Sequence, residues 1–385
     1  MNAFPVWAEI DLGAVAHNVA ALKKLLSPGC RLMAAVKADG YGHGIREIAA
    51  TALESGASAL GVARIDEALV LRGHGIAAPI LVLGPTPADR CMELLRHDLA
   101  QTVCGLAEAE ALSRTAAAAG SRARVHVKVD TGMGRLGINA VDVGRPGAPE
   151  TAVRESLAIM DLPGLDVEGV FTHFACADSA DKTHARKQFE RFSDLLNKLK
   201  AAGRTVAIRH AANSAALIDM PETHLDMARA GIAIYGLYPS ADIDRRKITL
   251  LPAMSFKTRI AQIKRVPAGF TVSYGATYVT PGPTTLAVVS VGYADGFARL
   301  LSSRGFMLVS GRRVPVVGRV CMDLTMLDVG AVPEAAVGDE AVIFGSQKGA
   351  SIGADEIADA LGTISYEVVS SIADRVPRIY LGAEK

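Results

Sequence analysis

The chain has 385 residues, half of them hydrophobic, and a formal net charge of +1 at pH 7. This length exceeds that of one typical domain, so two domains are expected. The balanced charge, without a basic run, argues against a nucleic-acid-binding protein. No apolar run approaches the roughly 18 residues that a membrane span requires, so no membrane segment is expected.

The cysteines and the N-terminus indicate the compartment. Five cysteines are scattered along the chain without a C-x-x-C pair. This usage favours a reducing compartment and argues against a disulfide framework or a zinc site, so no metal site is predicted. Residues 1–12 carry the acidic Glu9 and Asp11 early and lack a basic start followed by an apolar core, so they are not a signal peptide. The expected location is the cytoplasm.

The first 240 residues show a repeating pattern of strands and helices. Val6–Asp11 alternates like a half-buried strand, and Leu12–Leu26 has helical spacing. Short apolar runs follow at Leu32–Lys37, Ala59–Ala63, Ile80–Leu83, Ala100–Cys104, Val125–Val129, Val167–Phe171, Ala207–His210 and Leu225–Ile232. Amphipathic segments between them include Ile45–Glu54, Asp66–Leu71, Ala107–Ala119 and Ala185–Ala201. About eight such repeats predict a parallel (β/α)8 TIM-like barrel, although an open doubly wound sheet has the same periodicity.

The pattern changes after Tyr238-Pro239, where helical spacing mostly disappears. Predicted strands follow at Leu251–Lys264, Phe270–Ser273, Thr285–Val291, Met307–Val309, Val314–Val320, Thr325–Val329, Glu340–Phe344 and Arg378–Leu381, with a helix at Gly353–Leu361. We therefore predict a barrel over residues 12–240 and a mainly β domain over residues 241–385. The strand Val6–Asp11 precedes the barrel pattern and could pair with the β domain, so residues 1–11 are assigned to it.

Several predicted barrel strands end in polar residues, at the face where barrels carry reactive groups. These ends are Lys37, Lys128-Val129-Asp130, Thr172-His173, His210 to Ser214, and Arg229. A lysine held among apolar neighbours has a lowered pKa, and its amine becomes the nucleophile that a Schiff-base lysine must be. The ordinary alternative is that Lys37 extends into solvent from the strand end.

Two short motifs resemble known sites but fail on context. Gly132-x-Gly134-x-x-Gly137 matches the dinucleotide fingerprint, but Ile138 to Glu150 reads as a loop and not as a helix. Asp130-Thr131-Gly132 resembles an aspartic-protease triplet, but the chain has no second copy to supply the paired carboxylate. We therefore predict neither function.

The ends of the last two barrel strands predict a phosphate site. Asn213-Ser214-Ala215 opens a short helical segment, in which Ser214 is the expected N-cap and a hydroxyl donor. Gly231-Ile232 follows the eighth strand. Loops at these positions of a barrel commonly bind phosphate. A reactive lysine together with a phosphate site suits pyridoxal phosphate.

Motifs along the whole chain resemble those of the alanine racemases. Those in the barrel are Ala35 to Gly44, His126 to Gly137, Thr172 to Ala175, Ala212-Asn213-Ser214 and Arg229 to Ile232. Those in the β domain are Ser273 to Tyr278, Gly292 to Gly296, Gly318 to Asp323 and Tyr366-Glu367. The resemblance implies a pyridoxal-phosphate enzyme that interconverts L- and D-alanine, for peptidoglycan synthesis or for alanine catabolism.

The resemblance also implies roles for particular residues. Lys37 would attach the cofactor and act as one base, with Tyr274 as the other base on the opposite face. His173 and Arg229 would support Tyr274, and Arg229 would face the pyridine nitrogen. The phosphate set would be Tyr41, Ser214, Gly231, Ile232 and Tyr366. Arg135 and the N–H of Met322 would hold the substrate carboxylate, Lys128 matches a lysine that the family often carbamylates, and Tyr293, Arg299, Arg319 and Asp323 would line the substrate entrance.

The same resemblance implies a head-to-tail homodimer, in which Tyr274, Met322 and Asp323 reach the cofactor of the other subunit. Three other functions remain open. A racemase of wider specificity differs from an alanine racemase by only a few pocket side chains. A barrel-type pyridoxal-phosphate decarboxylase is disfavoured by the motifs around Tyr274 and Arg135. A non-catalytic pyridoxal-phosphate carrier would resemble the barrel alone.

Overall fold

The computed structural model describes residues 4–142 and 146–382 and divides into two compact units. The barrel unit comprises Val15–Gly40 and Ile45–Leu251. The β unit comprises the described residues of Met1–Ala14, Tyr41–Gly44 and Pro252–Lys385. The predicted domain limits extend into residues 1–3 and 383–385, and the predicted loop over Ile138 to Glu150 includes residues 143–145. These nine positions lie outside the described residues.

Eight parallel strands form the barrel unit's sheet. In chain order they are Arg31–Ala35, Ala59–Val62, Ile80–Val82, Ala100–Val103, Ala123–Asp130, Leu165–Phe171, Ile208–His210 and Met227–Ala230. The eighth strand pairs in parallel with the first. Between the seventh and eighth, the N–H groups of Asp226 and Arg229 donate to the carbonyls of Arg209 and Ala212. The predicted barrel is therefore confirmed as nearly closed, and the open doubly wound alternative is wrong.

Helices cover the outside of this sheet, and apolar side chains fill its inside. The helices are Leu12–Leu25, Ile45–Glu54, Ile65–Gly73, Cys91–Arg96, Leu106–Ala118, Ala148–Met160, Thr183–Ala201 and Ser214–Asp219. Met33, Ala59, Leu81, Ala100 and Met227, from five different strands, form one buried cluster. Such a layer makes the barrel a packed core, so its chemistry is confined to the strand ends.

The β unit is built on a nine-stranded sheet. Its strands are Val6–Asp11, Met254–Val266, Thr284–Val289, Phe306–Val309, Arg312–Pro315, Thr325–Asp328, Glu340–Gln347, Ala350–Ile352 and Arg378–Leu381. A separate hairpin joins Thr271–Val272 to Tyr278–Val279. The helices are Ala354–Leu361 and Ser365–Ser370. Val6–Asp11 pairs antiparallel with Met254–Val266 and parallel with Arg378–Leu381, which confirms its predicted pairing with the β domain.

Two predicted elements differ from the structure, and one observed helix was not predicted. The strand predicted over Val314–Val320 ends at Pro315, and beyond it only an isolated bridge joins Val316 to Leu327. Gly318 turns the chain with a φ of 73°, so the apolar residues beyond Pro315 are buried by packing and not by strand pairing. The loop predicted to Glu150 contains a short strand at Ile138–Asn139, and its helix begins at Ala148. The helix Ser365–Ser370 was not predicted. No helix within the described ranges is long and apolar enough to cross a membrane.

Candidate active site

Lys37 follows the first barrel strand and begins a left-handed turn. Three consecutive residues have positive φ and ψ near 50°: Ala38, Asp39 and Gly40. An L-residue other than glycine adopts this conformation at a cost of about 1–2 kcal/mol. The Asp39 carboxylate accepts the N–H of Ile45 at 2.8 Å and so begins the next helix, where the sequence predicted one. The turn was predicted from its glycines, but Ala38 and Asp39 also adopt the left-handed conformation and carry part of its conformational cost.

Glu67, which the sequence analysis missed, stabilises the backbone beside Lys37. One carboxylate oxygen accepts the N–H of Ala38 at 2.6 Å. The other accepts the N–H groups of Ala63 and Arg64 at 2.7 and 3.1 Å. Glu67 lies three residues after the N-cap Arg64, where a capping box has its glutamate. Because Arg64 stands in place of the usual Ser or Thr, the sequence carries only half of this signal.

Four cations lie at the carboxyl ends of the barrel strands, and the charge of Arg135 lowers the pKa of the other three. Burial and the charge of Arg135 lower the pKa of Lys37 below its usual range. Burial and the same arginine lower the pKa of Lys128 to about 8. They lower the pKa of Arg229 to about 9, so this guanidinium is still charged at neutral pH. The structure therefore gives Lys37 an amine that loses its proton more readily than that of a lysine that extends into solvent.

Arg229 is buried and donates in several directions. One guanidinium nitrogen donates to the carbonyls of Thr172 and Ala211 at 2.8 and 2.9 Å, and lies 3.2 Å from Nδ1 of His173. Arginine can only donate, so His173 accepts through Nδ1, and when neutral it carries its proton on Nε2. Burial, followed by the charge of Arg229, holds the pKa of His173 well below its ordinary value. His173 is therefore a neutral donor through Nε2.

The loop after the fifth strand is organised by Asp130. Its carboxylate accepts backbone N–H groups from four residues: Gly132, Met133, Gly134 and Arg135, at 2.9 to 3.1 Å. Because these N–H groups point at Asp130, they cannot bind a pyrophosphate. The short strand Ile138–Asn139 follows in place of a helix, which confirms that this is not a dinucleotide fingerprint. Asp130 instead positions Arg135, which is exposed.

Ser214 lies against the loop after the eighth strand. Its hydroxyl oxygen accepts the N–H of Gly231 at 2.8 Å and that of Ala233 at 3.4 Å, while Ile232 begins a buried turn. The predicted N-cap role of Ser214 is wrong. The cap is Asn213, whose side chain accepts the N–H of Ala216 at 3.0 Å, because its extended backbone directs the side chain at the first helical turn.

The β unit contains the two tyrosines predicted for the phosphate set. The rings of Tyr41 and Tyr366 lie 6.2 Å apart between centroids. Burial raises the pKa of Tyr41 to about 12, so its phenol stays protonated. Beside it, Gly42 has a φ of 82°, and a Cβ there would lie 2.3 Å from the carbonyl oxygen of Val369. Only glycine allows this close approach of two backbones.

Tyr274 lies in the turn of the hairpin between Thr271–Val272 and Tyr278–Val279, with 70% of its surface exposed. The preceding residue, Ser273, has a φ of 65° and donates its hydroxyl to the carbonyl of Arg319 at 2.6 Å. Gly275 follows with a φ of 74°. The turn therefore presents the phenol outward on a backbone that is anchored to a neighbouring loop.

The other residues predicted in the β unit lie on two adjoining loops. Met322 and Tyr293 are 53% and 42% exposed, and the Met322 carbonyl accepts the N–H of Ala294 at 3.0 Å. Arg375, which the sequence analysis missed, joins Asp323 at 2.6 Å to the buried Asp295 at 2.7 Å. Arg299 is exposed and Arg319 is partly buried. Arg375 stands alone in the sequence, so no spacing could have revealed it.

The structure thus gathers Lys37, Lys128, Arg135, His173, Ser214 and Arg229 at the strand ends of the barrel unit. The β unit holds the two remaining groups, which are the pair Tyr41 and Tyr366 and the loops around Tyr274 and Met322. Each unit therefore carries part of the predicted residue set.

Comparisons with known proteins agree with these features. Family models described as "Alanine racemase, N-terminal domain" and "Alanine racemase, C-terminal domain" match residues 10–239 and 253–380. An alanine racemase of Desulfosudis oleivorans is 76% identical over 99% of this chain and 97% of that protein. The solved alanine racemase of Clostridium difficile 630 is 39% identical, with a TM-score of 0.92 over 99% of this chain and 97% of that chain.

The solved alanine racemase of Bacillus anthracis with bound L-Ala-P is 38% identical, with a TM-score of 0.91 over 100% of this chain and 97% of that chain. Similarity at this level covers both units and not the barrel alone. The chain belongs to the alanine racemase family of isomerases.

Proposed function

We propose that this chain interconverts L- and D-alanine with pyridoxal phosphate, using Lys37 and Tyr274 as bases on the two faces of the cofactor. The observation that carries this proposal is the position of Lys37. It follows a barrel strand, and burial and the charge of Arg135 lower its pKa. An amine of this kind can both attach a carbonyl cofactor and accept a proton near neutral pH.

The donors around Lys37 suit the proposed cofactor. Basic side chains outnumber acidic ones in this group: Lys37, Lys128, Arg135 and Arg229 lie at the strand ends with the carboxylates of Glu67 and Asp130, which also accept backbone N–H groups. A ligand that carries a phosphate and a carboxylate would balance this charge. Ser214 accepts the N–H of Gly231 and keeps its hydroxyl proton for a phosphate oxygen. When bound, pyridoxal phosphate acidifies the α-hydrogen of the amino acid that it carries.

Two bases are needed because inversion removes a proton from one face of the α-carbon and returns it on the other. A phenol has a reference pKa of about 10, so Tyr274 needs a neighbour that stabilises its anion. In the proposed site His173 would donate from Nε2 to this oxygen, and Arg229, 3.2 Å from Nδ1, polarises the imidazole. The positive charge comes from Arg229, since the lowered pKa of His173 keeps the imidazole neutral.

The substrate carboxylate would be held by Arg135 and the N–H of Met322. Lys128 is buried with a pKa of about 8, so about a tenth of it is, at pH 7, the neutral amine that carbon dioxide can carbamylate. A carbamate would attract Arg135, whereas an ammonium repels it. Tyr41, with a raised pKa, would donate its phenol proton to the phosphate, and Tyr366, Gly231 and Ile232 would be further members of the phosphate set.

A head-to-tail dimer would complete the site. Tyr274 and Met322 are large side chains of which more than half the surface is exposed, as expected of residues that reach a partner. Tyr293, Arg299, Arg319 and Asp323 would then line the entrance to the partner's site. The proposed domain assignment is a barrel over residues 12–240 and a β domain that serves the other subunit.

The proposed physiological role is the supply of D-alanine for peptidoglycan or the use of alanine in catabolism, in the cytoplasm. The scattered cysteines support this location. A racemase of wider specificity is the second candidate, since Lys37 and Tyr274 would serve any substrate whose side chain fits.

Solvent exchange tests the reaction. We expect each enantiomer of alanine, incubated with the enzyme in deuterium oxide, to be racemised and to acquire deuterium at the α-carbon. A decarboxylase would release carbon dioxide, and a carrier would do neither. Tyr274→Phe should abolish racemisation but still allow α-exchange of one enantiomer, through Lys37. Exchange of both enantiomers by this variant would contradict the two-base assignment.

Mixing two inactive variants tests the shared site. Lys37→Ala and Tyr274→Phe would each be inactive alone. In a dimer whose sites draw one base from each subunit, a mixed dimer has one intact site. Random reassembly of equal amounts should then restore about a quarter of the wild-type activity, since half the dimers are mixed and each has one of two sites. No recovery from dimers shown to be mixed would place both bases in one subunit.

A further inference from the structure

A chain of polar side chains crosses the barrel unit from Arg229 to Glu168. A guanidinium nitrogen of Arg229 lies 2.8 Å from Nδ1 of His210, and Nε2 of His210 lies 2.8 Å from Nδ1 of His126. Nε2 of His126 then lies 3.7 Å from a carboxylate oxygen of Glu168. Both histidines are buried, and Glu168 is partly exposed.

The direction of every hydrogen bond follows from the first. Arg229 can only donate, so Nδ1 of His210 accepts. A neutral His210 therefore carries its proton on Nε2 and donates to Nδ1 of His126. His126 in turn carries its proton on Nε2, directed at Glu168. The two hydrogen bonds and the 3.7 Å contact of His126 with Glu168 therefore share one direction, from a guanidinium towards a carboxylate.

The charge states fit this direction. Burial lowers the pKa of His126 and, with the charge of Arg229, holds that of His210 well below its ordinary value, so both rings are neutral. Burial raises the pKa of Glu168, but its polar contact with His126 and the charge of Arg124 outweigh burial and leave this pKa below its usual value. The chain therefore joins a cation to an anion through two neutral rings.

The backbone is shaped to accommodate these side chains. Val125 pairs with Val167, but His126 pairs with Gly169, so Glu168 is the unpaired residue of a β-bulge. Bulges redirect side chains and are common beside active sites. A Cβ on Gly169 would lie 2.3 Å from Nδ1 of His126, so only glycine leaves room for this ring. His210 stacks on Phe171 with centroids 4.6 Å apart, which fixes its plane.

We propose that His210, His126 and Glu168 are positioning residues for Arg229. They hold it as an oriented cation by two hydrogen bonds of one direction and a final 3.7 Å contact between His126 and a carboxylate outside the catalytic cluster; we call this arrangement the relay. The carboxylate stabilises the guanidinium charge through the polarised rings. It thereby sets how strongly Arg229 donates to its acceptors. The direction of the relay stands on these contacts alone, whereas its effect on racemisation rests on the proposed function.

Nitrogen NMR of the holoenzyme tests the direction of the relay. With histidine labelled by nitrogen-15, we expect His126 and His210 to show a protonated Nε2 and an unprotonated Nδ1. Their signals would be assigned by loss in His126→Gln and His210→Gln. A protonated Nδ1 on either ring reverses a hydrogen bond and overturns the relay. This result does not depend on activity, so it can fail while the proposed function stands.

Glu168→Gln tests the role of the carboxylate, and Asp166→Asn is the matched control, because it removes an exposed charge from the same strand. Glu168→Gln should shift the Nδ1 signal of His210, which it does not touch, and lower kcat about tenfold with KM within about twofold. Asp166→Asn should do neither. Equal effects of the two variants on the His210 signal and on kcat would show that Glu168 is not coupled to Arg229.

The conservative variant Glu168→Asp separates charge from shape. It keeps the carboxylate at a shorter reach, so kcat should lie between those of wild type and Glu168→Gln. A kcat for Glu168→Asp at or below that of Glu168→Gln would mean that packing, not charge, determines the effect, and the relay would be refuted. Melting temperatures within a few degrees of wild type would show that the variants at Glu168, the partly exposed end of the relay, are folded.

Discussion

Substitution of Glu67 by glutamine should destabilise the protein and loosen the turn that follows Lys37. The carboxylate accepts three backbone N–H groups, from Ala38, Ala63 and Arg64. Glutamine keeps one carbonyl oxygen, so it can serve the Ala63 side or the Ala38 side but not both. Its NH2 group then faces a backbone donor.

The magnitude follows from what is lost. A hydrogen bond to a charged group contributes about 1.5–3 kcal/mol, and a buried donor left unpaired costs about 1–3 kcal/mol. The N–H groups of Ala38 and Arg64 are exposed, so water can replace one bond, which favours the lower part of the range. We expect the free energy of unfolding to fall by about 2 kcal/mol. Since Glu67 raises the pKa of Lys37, its removal should lower that pKa further.

Urea unfolding of the purified holoenzyme measures the change, with Glu110→Gln as the control. Glu110 lies on an exposed helix surface, with one 3.9 Å ion pair to Arg114. Such a pair contributes about 0.3–0.5 kcal/mol, so the control should be nearly neutral. If Glu67→Gln unfolded within about 0.5 kcal/mol of Glu110→Gln, the three hydrogen bonds would not stabilise this turn as the geometry implies.

Three further predictions concern single contacts. Gly42→Ala, with a Cβ 2.3 Å from the carbonyl of Val369, should lower the free energy of unfolding by about 2–4 kcal/mol. The control Gly75→Ala, at a glycine with similar φ and open space, should lower it by about 1 kcal/mol. Equal losses of stability of the two variants in calorimetry would exclude the clash. Lys128→Met, in carbon-dioxide-free buffer, should stabilise the protein by up to about 3 kcal/mol at pH 7, because the folded-state pKa of Lys128 lies below its value in the unfolded chain. This gain should be lost as the pH rises from about 8 to 10.5. A gain in stability that does not depend on pH would refute this reasoning. Asp130→Asn should raise KM for alanine about tenfold with little change in kcat, because the loop of Arg135 loses a charged acceptor; an unchanged KM would count against that role.

Most of the architecture could be predicted because hydrophobic periodicity is local. The barrel strands were located to within a few residues, and the helix Ile45–Glu54 was predicted with its observed bounds. Prediction failed where apolar residues are buried without pairing as a strand. Val316 to Val320 look like a strand because they are apolar, but Gly318 turns the chain and the side chains are buried without a ladder. The register of the fifth and sixth barrel strands, which leaves Glu168 unpaired, depends on both strands and cannot be read from either alone.

The residues of the candidate site also fall into those that could be predicted from the sequence and those that could not. Lys37 and Arg229 could be identified because a charged residue at the end of an apolar run is conspicuous. The role of Ser214 as a cap could not be settled, because Asn213 has equal propensity and only the backbone decides between them. Glu67 and Arg375 act through partners that are distant in sequence, at Ala38 and Asp323. Sequence motifs therefore indicate reactive groups more readily than the residues that hold them.

The division of the chain into units has a consequence for exchanging parts between relatives. The chain leaves the barrel unit at Gly40, contributes Tyr41–Gly44 to the β unit and returns at Ile45. In the β unit, Arg378 donates to the carbonyl of Gly42 at 3.1 Å. In a chimera joined only near residue 252, the segment Tyr41–Gly44 would come from one parent. The helix Ser365–Ser370, against which this segment packs, would come from the other parent. A functional chimera must therefore take residues 41–44 and the strand Val6–Asp11 from the same parent as the C-terminal region.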